Sequence, residues 1–112
     1  MKGNKGHVDE GGVRVPFLIK WPGKIKNAQH DSISAHIDLL PTLCDLLEIK
    51  SDTSKKLDGI SLKNLLLNGE KPKSRYIVSS WGKKISIRSQ QYRADFNGLY
   101  DMEADRGQSD RK

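Results

Sequence analysis

Cysteine is all but missing from this chain: Cys44 is the only one in 112 residues. No disulfide can close within it, so thiol usage gives no clue to the redox compartment. Aromatic residues make up only 6% and apolar residues 35%. That is enough for a modest core, but little for a stand-alone enzyme with a deep pocket. No apolar run is long enough to cross a membrane, and no membrane partner is expected. Met1-Lys2-Gly3-Asn4 is followed by no apolar stretch of the signal-peptide kind. Zinc-type Cys/His spacing, aromatic-rich RNA motifs and internal repeats are all lacking. Nucleic acid is therefore not expected as a partner, although the formal net charge is +6. The basic residues are scattered, and the densest pairs, Lys55-Lys56 and Lys83-Lys84, are short. A basic balance of this kind suits an anionic substrate without proving one.

What the chain does have is a dense polar stretch near its start. Residues 4–16 hold a lysine, a histidine, two carboxylates, three glycines and an arginine, and Phe17-Leu18-Ile19 follows at once. Glycines let backbone bend and approach a ligand closely. Lys5 and Arg14 could face an anion, and Glu10 could accept from backbone N–H groups and fix the loop. Residues 1–13 read as loop. The nearly continuous apolar run in residues 14–21 predicts a strand covered on both faces, ended by a turn at Pro22-Gly23. Residues 32–37 read as a short strand. Leucines at 39, 40, 43, 46 and 47 predict an amphipathic helix over residues 39–48, with Asp38 as its N-cap. Ser61 is placed to cap a second helix that Asn68-Gly69 stops. Strands are expected over residues 75–81, 84–89 and 92–96. The Asn97-Gly98 turn signal then leads into a fourth strand at Leu99-Tyr100. Residues 103–112 are polar and read as frayed.

The wording of these segments resembles the sulfatase family. Lys5-Gly6-x-x-x-Glu10-Gly11-Gly12-x-Arg14-x-Pro16, an apolar run and Trp21-Pro22-Gly23 are similar to a segment in the second half of sulfatases. His36-x-Asp38-Leu39-x-Pro41-Thr42-Leu43, Asp58-Gly59-x-Ser61-Leu62 and Leu99-Tyr100-Asp101-Met102-x-x-Asp105 are similar to three further sulfatase segments in the same order. The resemblance covers nearly all of the chain. It implies the C-terminal portion of an α/β, alkaline-phosphatase-like fold. Residues 1–70 would end the catalytic domain, and residues 71–112 would form a small antiparallel subdomain with a polar tail. Arg106 stands where the family often has proline, a departure that bears only on the tail.

The resemblance implies a parent enzyme that hydrolyses sulfate esters of small molecules or glycans, with calcium and a formylglycine nucleophile as its cofactors. Sulfatases are commonly exported, and the parent's location, like its oligomeric state, is open. The matching lysine of sulfatases reaches the substrate sulfate, so Lys5 is the substrate-binding candidate, and His7, two residues on, is a second. An ammonium is a compact charge suited to a tetrahedral anion, and a histidine can donate or carry a proton near neutral pH. Glu10 and Arg14 read as structural, an ion pair between them being one arrangement. On a strand, His36 and Asp38 would share a face, yet Asp38 as a cap and His36 as a bystander is the simpler reading. Cys44 sits in Thr42-Leu43-Cys44-Asp45-Leu46, which fails the C-x-P/A-x-R context of the modified cysteine, and reads as a helix residue near the core. No catalytic residue and no metal ligand is expected in this chain, which alone would be inactive. Other readings are a fragment of a related phosphodiesterase or phosphonate hydrolase, and a truncated product without catalysis.

Overall fold

A computed structural model describes residues 2–50, 54 and 56–105. Arg106 and the rest of residues 106–112 lie outside the described residues, as do Lys55 and residues 51–53 of the polar loop. Of the stretch 103–112 expected to fray, residues 103–105 are instead tied back: the Glu103 and Ala104 N–H groups donate to Asp101 Oδ1 and that of Asp105 to the Asp101 carbonyl. The chain divides into two compact units. One combines Met1–Leu18 with Ser74–Lys112, in their described residues, and the other is Ile19–Lys73. The N-terminal loop thus groups with the C-terminal strands, and not with the segment that follows it in sequence.

The first unit holds one turn of helix, α1 (Glu10–Val13), where the sequence read as plain loop, and four strands: β1 (Ile77–Trp81), β2 (Lys84–Arg88), β3 (Tyr92–Asp95) and β4 (Gly98–Asp101). They form one antiparallel sheet in sequence order. The β3–β4 loop consists of Phe96 and Asn97, and Gly98 pairs with Asp95. The expected Asn97-Gly98 turn is therefore shifted by one residue. The cause is Asp95, whose carboxylate accepts from the N–H groups of Asn97 (2.7 Å) and Gly98 (3.2 Å) and closes the turn itself.

Residues directly opposite on paired strands share a face. Val78, Ile87, Ala94 and Leu99 make one row across the sheet, on the more exposed side. The next row, Ile77, Arg88, Arg93 and Tyr100, lies on the covered side together with Ser86. Hence the covered face is the polar one. Arg93 and Tyr100 are each 1% exposed and Ser86 is 3% exposed.

The second unit holds α2 (Leu39–Leu47) and α3 (Lys63–Asn68), with a turn of 3-10 helix, His36–Asp38, ahead of α2. The leucine period placed α2 within one residue, and Gly69 ends α3 as expected. Ser61 lies one residue ahead of the α3 N-cap, Leu62, where no side-chain cap bond forms; its Oγ accepts instead from Lys63 N–H at 3.2 Å in the turn before the helix. Two expected strands do not form. Residues 14–20 are irregular, with Val15 75% and Leu18 92% exposed. A strand needs a neighbour to take its N–H and C=O groups, and the one sheet among the described residues pairs only β1 to β4. Residues 32–35 likewise take no strand conformation, and His36 and Asp38 lie on the 3-10 turn, not on one strand face.

Candidate functional site

The N-terminal loop is built tightly. His7 N–H donates to the Asn4 carbonyl at 3.0 Å, closing a turn around Lys5 and Gly6, and Gly11 N–H donates back to the Lys2 carbonyl at 2.8 Å. A side chain on Gly11 would collide with the Gly3 carbonyl oxygen, and one on Gly12 with that of His7. Only glycine lets α1 lie this close to residues 3–7. The paired glycines of the motif are therefore packing residues.

Its carboxylates are structural as well. Glu10 is 5% exposed, and its Oε1 accepts from Arg88 Nε at 3.0 Å. The guanidinium that Glu10 meets is thus Arg88 of β2, while Arg14, the partner suggested by the sequence, is exposed. Arg93 of β3 lies beneath the loop. Its Nε donates to the Val8 carbonyl at 3.3 Å, and its Nη2 meets Asp95 Oδ2 at 3.0 Å and Asp9 Oδ1 at 3.3 Å. Ser86 Oγ adds a bond to the same Val8 carbonyl at 3.1 Å. Burial works against the charge of Asp95. The Asn97 N–H, the charge and hydrogen bond of Arg93, and the Gly98 N–H outweigh it, and hold the carboxyl below the ordinary aspartate value.

Lys5 and His7 stand apart from this network. Both are exposed on the turn that the loop presents. His7 lines a depression of about 630 Å³ together with Lys2, Asn4, Lys84 and Asn97, and Lys5 is not among the lining residues. The two predicted binding residues thus share one turn but not one concavity. Arg88, Arg93 and Asp95, which fix that turn's position, were missed from the sequence. Their signal was available only as charged residues alternating along β2 and β3.

In the helical unit, the candidate dyad is absorbed by the fold. Asp38 is 1% exposed. Its Oδ2 accepts from Ala35 N–H at 2.8 Å and its Oδ1 from Ile60 N–H at 3.0 Å. Asp38 is structural, as expected, but not by capping α2, where no side-chain cap bond forms. One turn on, Thr42 Oγ1 accepts from Leu62 N–H at 2.9 Å. Gly59 is needed in between, since a side chain there would strike the Ile37 carbonyl. His36 is exposed on the 3-10 turn, and Cys44 is a half-buried thiol of α2. Among the described residues, no three His, Cys, Asp or Glu side chains gather where they could hold a metal ion. These residues do not fit a calcium seat. Among the same residues, no helix is long and apolar enough to cross a membrane.

The family model described as N-sulphoglucosamine sulphohydrolase, C-terminal, matches residues 4–108. An arylsulfatase of Hemicentrotus pulcherrimus is 32% identical over 96 residues, which is 85% of this chain and 17% of that protein. Arylsulfatase A of Bos taurus is 36% identical over 98 residues, 82% of this chain and 19% of its own length. A steryl-sulfatase of Rattus norvegicus is 37% identical over 67 residues, 59% of this chain and 12% of its own length. The chain therefore spans less than a fifth of each of these relatives.

Proposed function

The chain belongs to the sulfatase family, and from that membership we propose that it supplies one substrate contact, Lys5, to an enzyme that hydrolyses sulfate esters. The observation that carries this reading is the division of labour within the loop. Asp9, Glu10, Gly11 and Gly12 are consumed in building it, while the Lys5 ammonium is exposed on its turn. A fixed ammonium stabilises the negative charge that builds on a sulfate group as its ester bond breaks. His7, on the same turn, is the second contact in this reading, as a donor to an ester oxygen. The alkaline-phosphatase-like fold, the formylglycine nucleophile and the calcium ion belong in this reading to other segments of a longer protein.

Two measurements test it. In a longer protein carrying this chain, Lys5→Ala lowers kcat for an aryl sulfate by about 10²-fold or more. Its thermal stability stays within about 0.5 kcal/mol, since an exposed side chain is removed. Wild-type turnover in that variant sinks the assignment. The 112-residue chain by itself, given calcium and a formylglycine-generating enzyme, shows no aryl sulfate hydrolysis. Its one thiol lies in Thr42-Leu43-Cys44-Asp45-Leu46, outside the modification context. Clear turnover above a heat-killed control, or a mass change at Cys44 that matches loss of its sulfur and gain of an aldehyde oxygen, overturns this part.

A further inference from the structure

We propose that Trp81 is a positioning residue for Lys5: its indole is the rest on which the Lys5-Gly6 turn sits, and it fixes where the ammonium is presented. This rests on the sulfatase reading above and adds a residue to the site that reading names.

The loop follows the sheet in two-residue steps. Glu10 meets Arg88 at 3.0 Å. Two residues back, the Val8 carbonyl accepts from Ser86 Oγ at 3.1 Å. Two residues further back, Gly6 faces Trp81. A Cβ built on Gly6 would stand 3.6 Å from the indole Nε1 and 3.9 Å from Cε2, which is ordinary contact. Trp81 pairs with Lys84, as Ser79 does with Ser86 and Ile77 with Arg88. Residues 77, 79 and 81 alternate onto one face of β1, so the indole lies on the covered face with the other two anchors.

The third anchor differs in kind from the first two. Glu10 and Val8 are held by hydrogen bonds to the strands. The turn at residues 4–7 is closed by a bond of its own, from His7 N–H to the Asn4 carbonyl. That bond sets the shape of the turn but not its place over the sheet, and the indole supplies the place. Gly6 has φ +84°, so the turn already calls for glycine there, and the missing Cβ lets its backbone come close to the flat ring. Trp81 is 67% exposed, so it gains little as a core residue. A broad side chain with only two torsions suits a support.

A charge aimed at a developing anion is effective when it is held in place beforehand. Lysine carries its ammonium on a flexible four-carbon stem, so the backbone beneath it has to be fixed. A misplacement of about 1 Å can cost up to about 10²-fold in rate.

The test has two arms. In a longer protein carrying this chain, Trp81→Ala is expected to lower kcat for 4-nitrophenyl sulfate by about tenfold and to leave KM unchanged, as for a contact made in the transition state. Trp81→Phe, which keeps a flat ring, restores kcat to within about twofold of wild type. In a Lys5→Ala background, Trp81→Ala costs less than about twofold more, because the residue acts through Lys5. A merely structural tryptophan would lower stability equally in both backgrounds and show no such coupling in kcat. In the second arm, amide relaxation of the isotope-labelled 112-residue chain reads the turn directly. Trp81→Ala lowers the order parameters of the Lys5 and Gly6 amides from about 0.85 to below about 0.6, with the Val8 and Glu10 amides unchanged. Unchanged order at Lys5 and Gly6 in that variant, or kcat losses that multiply in the double variant, overturns the proposal. Failure of the underlying reading shows separately, as wild-type kcat in Lys5→Ala while the turn still loosens in Trp81→Ala.

Discussion

In the sheet unit, an irregular loop is held down by charged side chains reaching up from the strands. In the helical unit, the irregular segment at residues 58–62 is held by its own N–H groups, caught on one carboxylate and one hydroxyl of the 3-10 turn and α2. Both solutions answer the same demand, that buried backbone polar groups find partners. Their residues differ because the exposed backbone groups differ. The loop turns the Val8 carbonyl toward the sheet, which calls for donors, and Ser86 and Arg93 supply them. The segment at 58–62 turns N–H groups toward α2, which calls for acceptors. Asp38 and Thr42, one turn apart, supply those. In the helical unit both of these polar residues are used up by the backbone. In the sheet unit the loop keeps Lys5 and His7 exposed, and the proposed substrate contacts rest on that remainder.

The largest way to break the comparison is to remove the donor on which the loop rests. Arg93→Met leaves Asp9 and Asp95 without the cation they share, with Asp95 only 6% exposed at its side chain. Stripping one partner from a buried ion pair costs about 3–5 kcal/mol. Urea unfolding followed by amide exchange is expected to show that loss in β2, β3 and residues 2–13, with α2 and α3 affected least. An equal loss of protection in both units would mean that they do not stand as separately supported structures.

The matching cut in the helical unit is Asp38→Ala. It leaves the Ala35 and Ile60 N–H groups without their acceptor. A simple helix cap would cost about 1 kcal/mol, but two hydrogen bonds to a buried carboxylate bring the expected loss to about 3 kcal/mol. Exchange at the Ile60 amide, far along the chain from the substitution, is the decisive readout. Protection of Ile60 at wild-type level in the variant would return Asp38 to the role of a local cap.

Much of this frame was legible in the sequence, and unevenly so. The leucine period found α2, Gly69 ended α3, and alternation with turn signals found the four strands, because local pattern governs those choices. The apolar run from Val15 to Ile19 misled. A continuous hydrophobic stretch reports what a segment would bury, not whether strands stand ready on either side of it. The covered face of the sheet was hidden for a related reason. Alternation shows that Ile85 and Ile87 share one face and Ser86 and Arg88 the other, but not which face meets the loop. Only the carbonyl of Val8 and the carboxylates of Asp9 and Glu10, brought against the sheet, make the polar face the buried one. Within the loop, Glu10 was seen to be structural, but its cation is supplied from 78 positions away, a distance that no local pattern carries.

The smallest effect sharpens the account of the sheet unit through pH. Asp95 titrates below the ordinary value of 3.8 in the folded chain. Burial opposes its charge, and the Asn97 N–H, Arg93 and the Gly98 N–H together more than offset that. The sign follows from linkage. A carboxyl with a depressed folded value binds fewer protons folded than unfolded, so it adds stability above its unfolded value. That contribution shrinks as pH falls below about 4, where the unfolded carboxyl takes up a proton, and is gone once the folded one is protonated too. Arg93 is the cation in contact, and Asp9 shares it, so protonation of Asp95 also leaves Arg93 leaning on Asp9 alone. The expected outcome is a loss of protection at the Asn97 and Gly98 amides as pH is lowered from 5 to 3, and a shallower slope of stability against pH in Asp95→Asn. An unchanged slope in that variant would mean that the acid sensitivity of the sheet unit is set elsewhere, and that Asp95 closes the hairpin without contributing charge to the network under the loop.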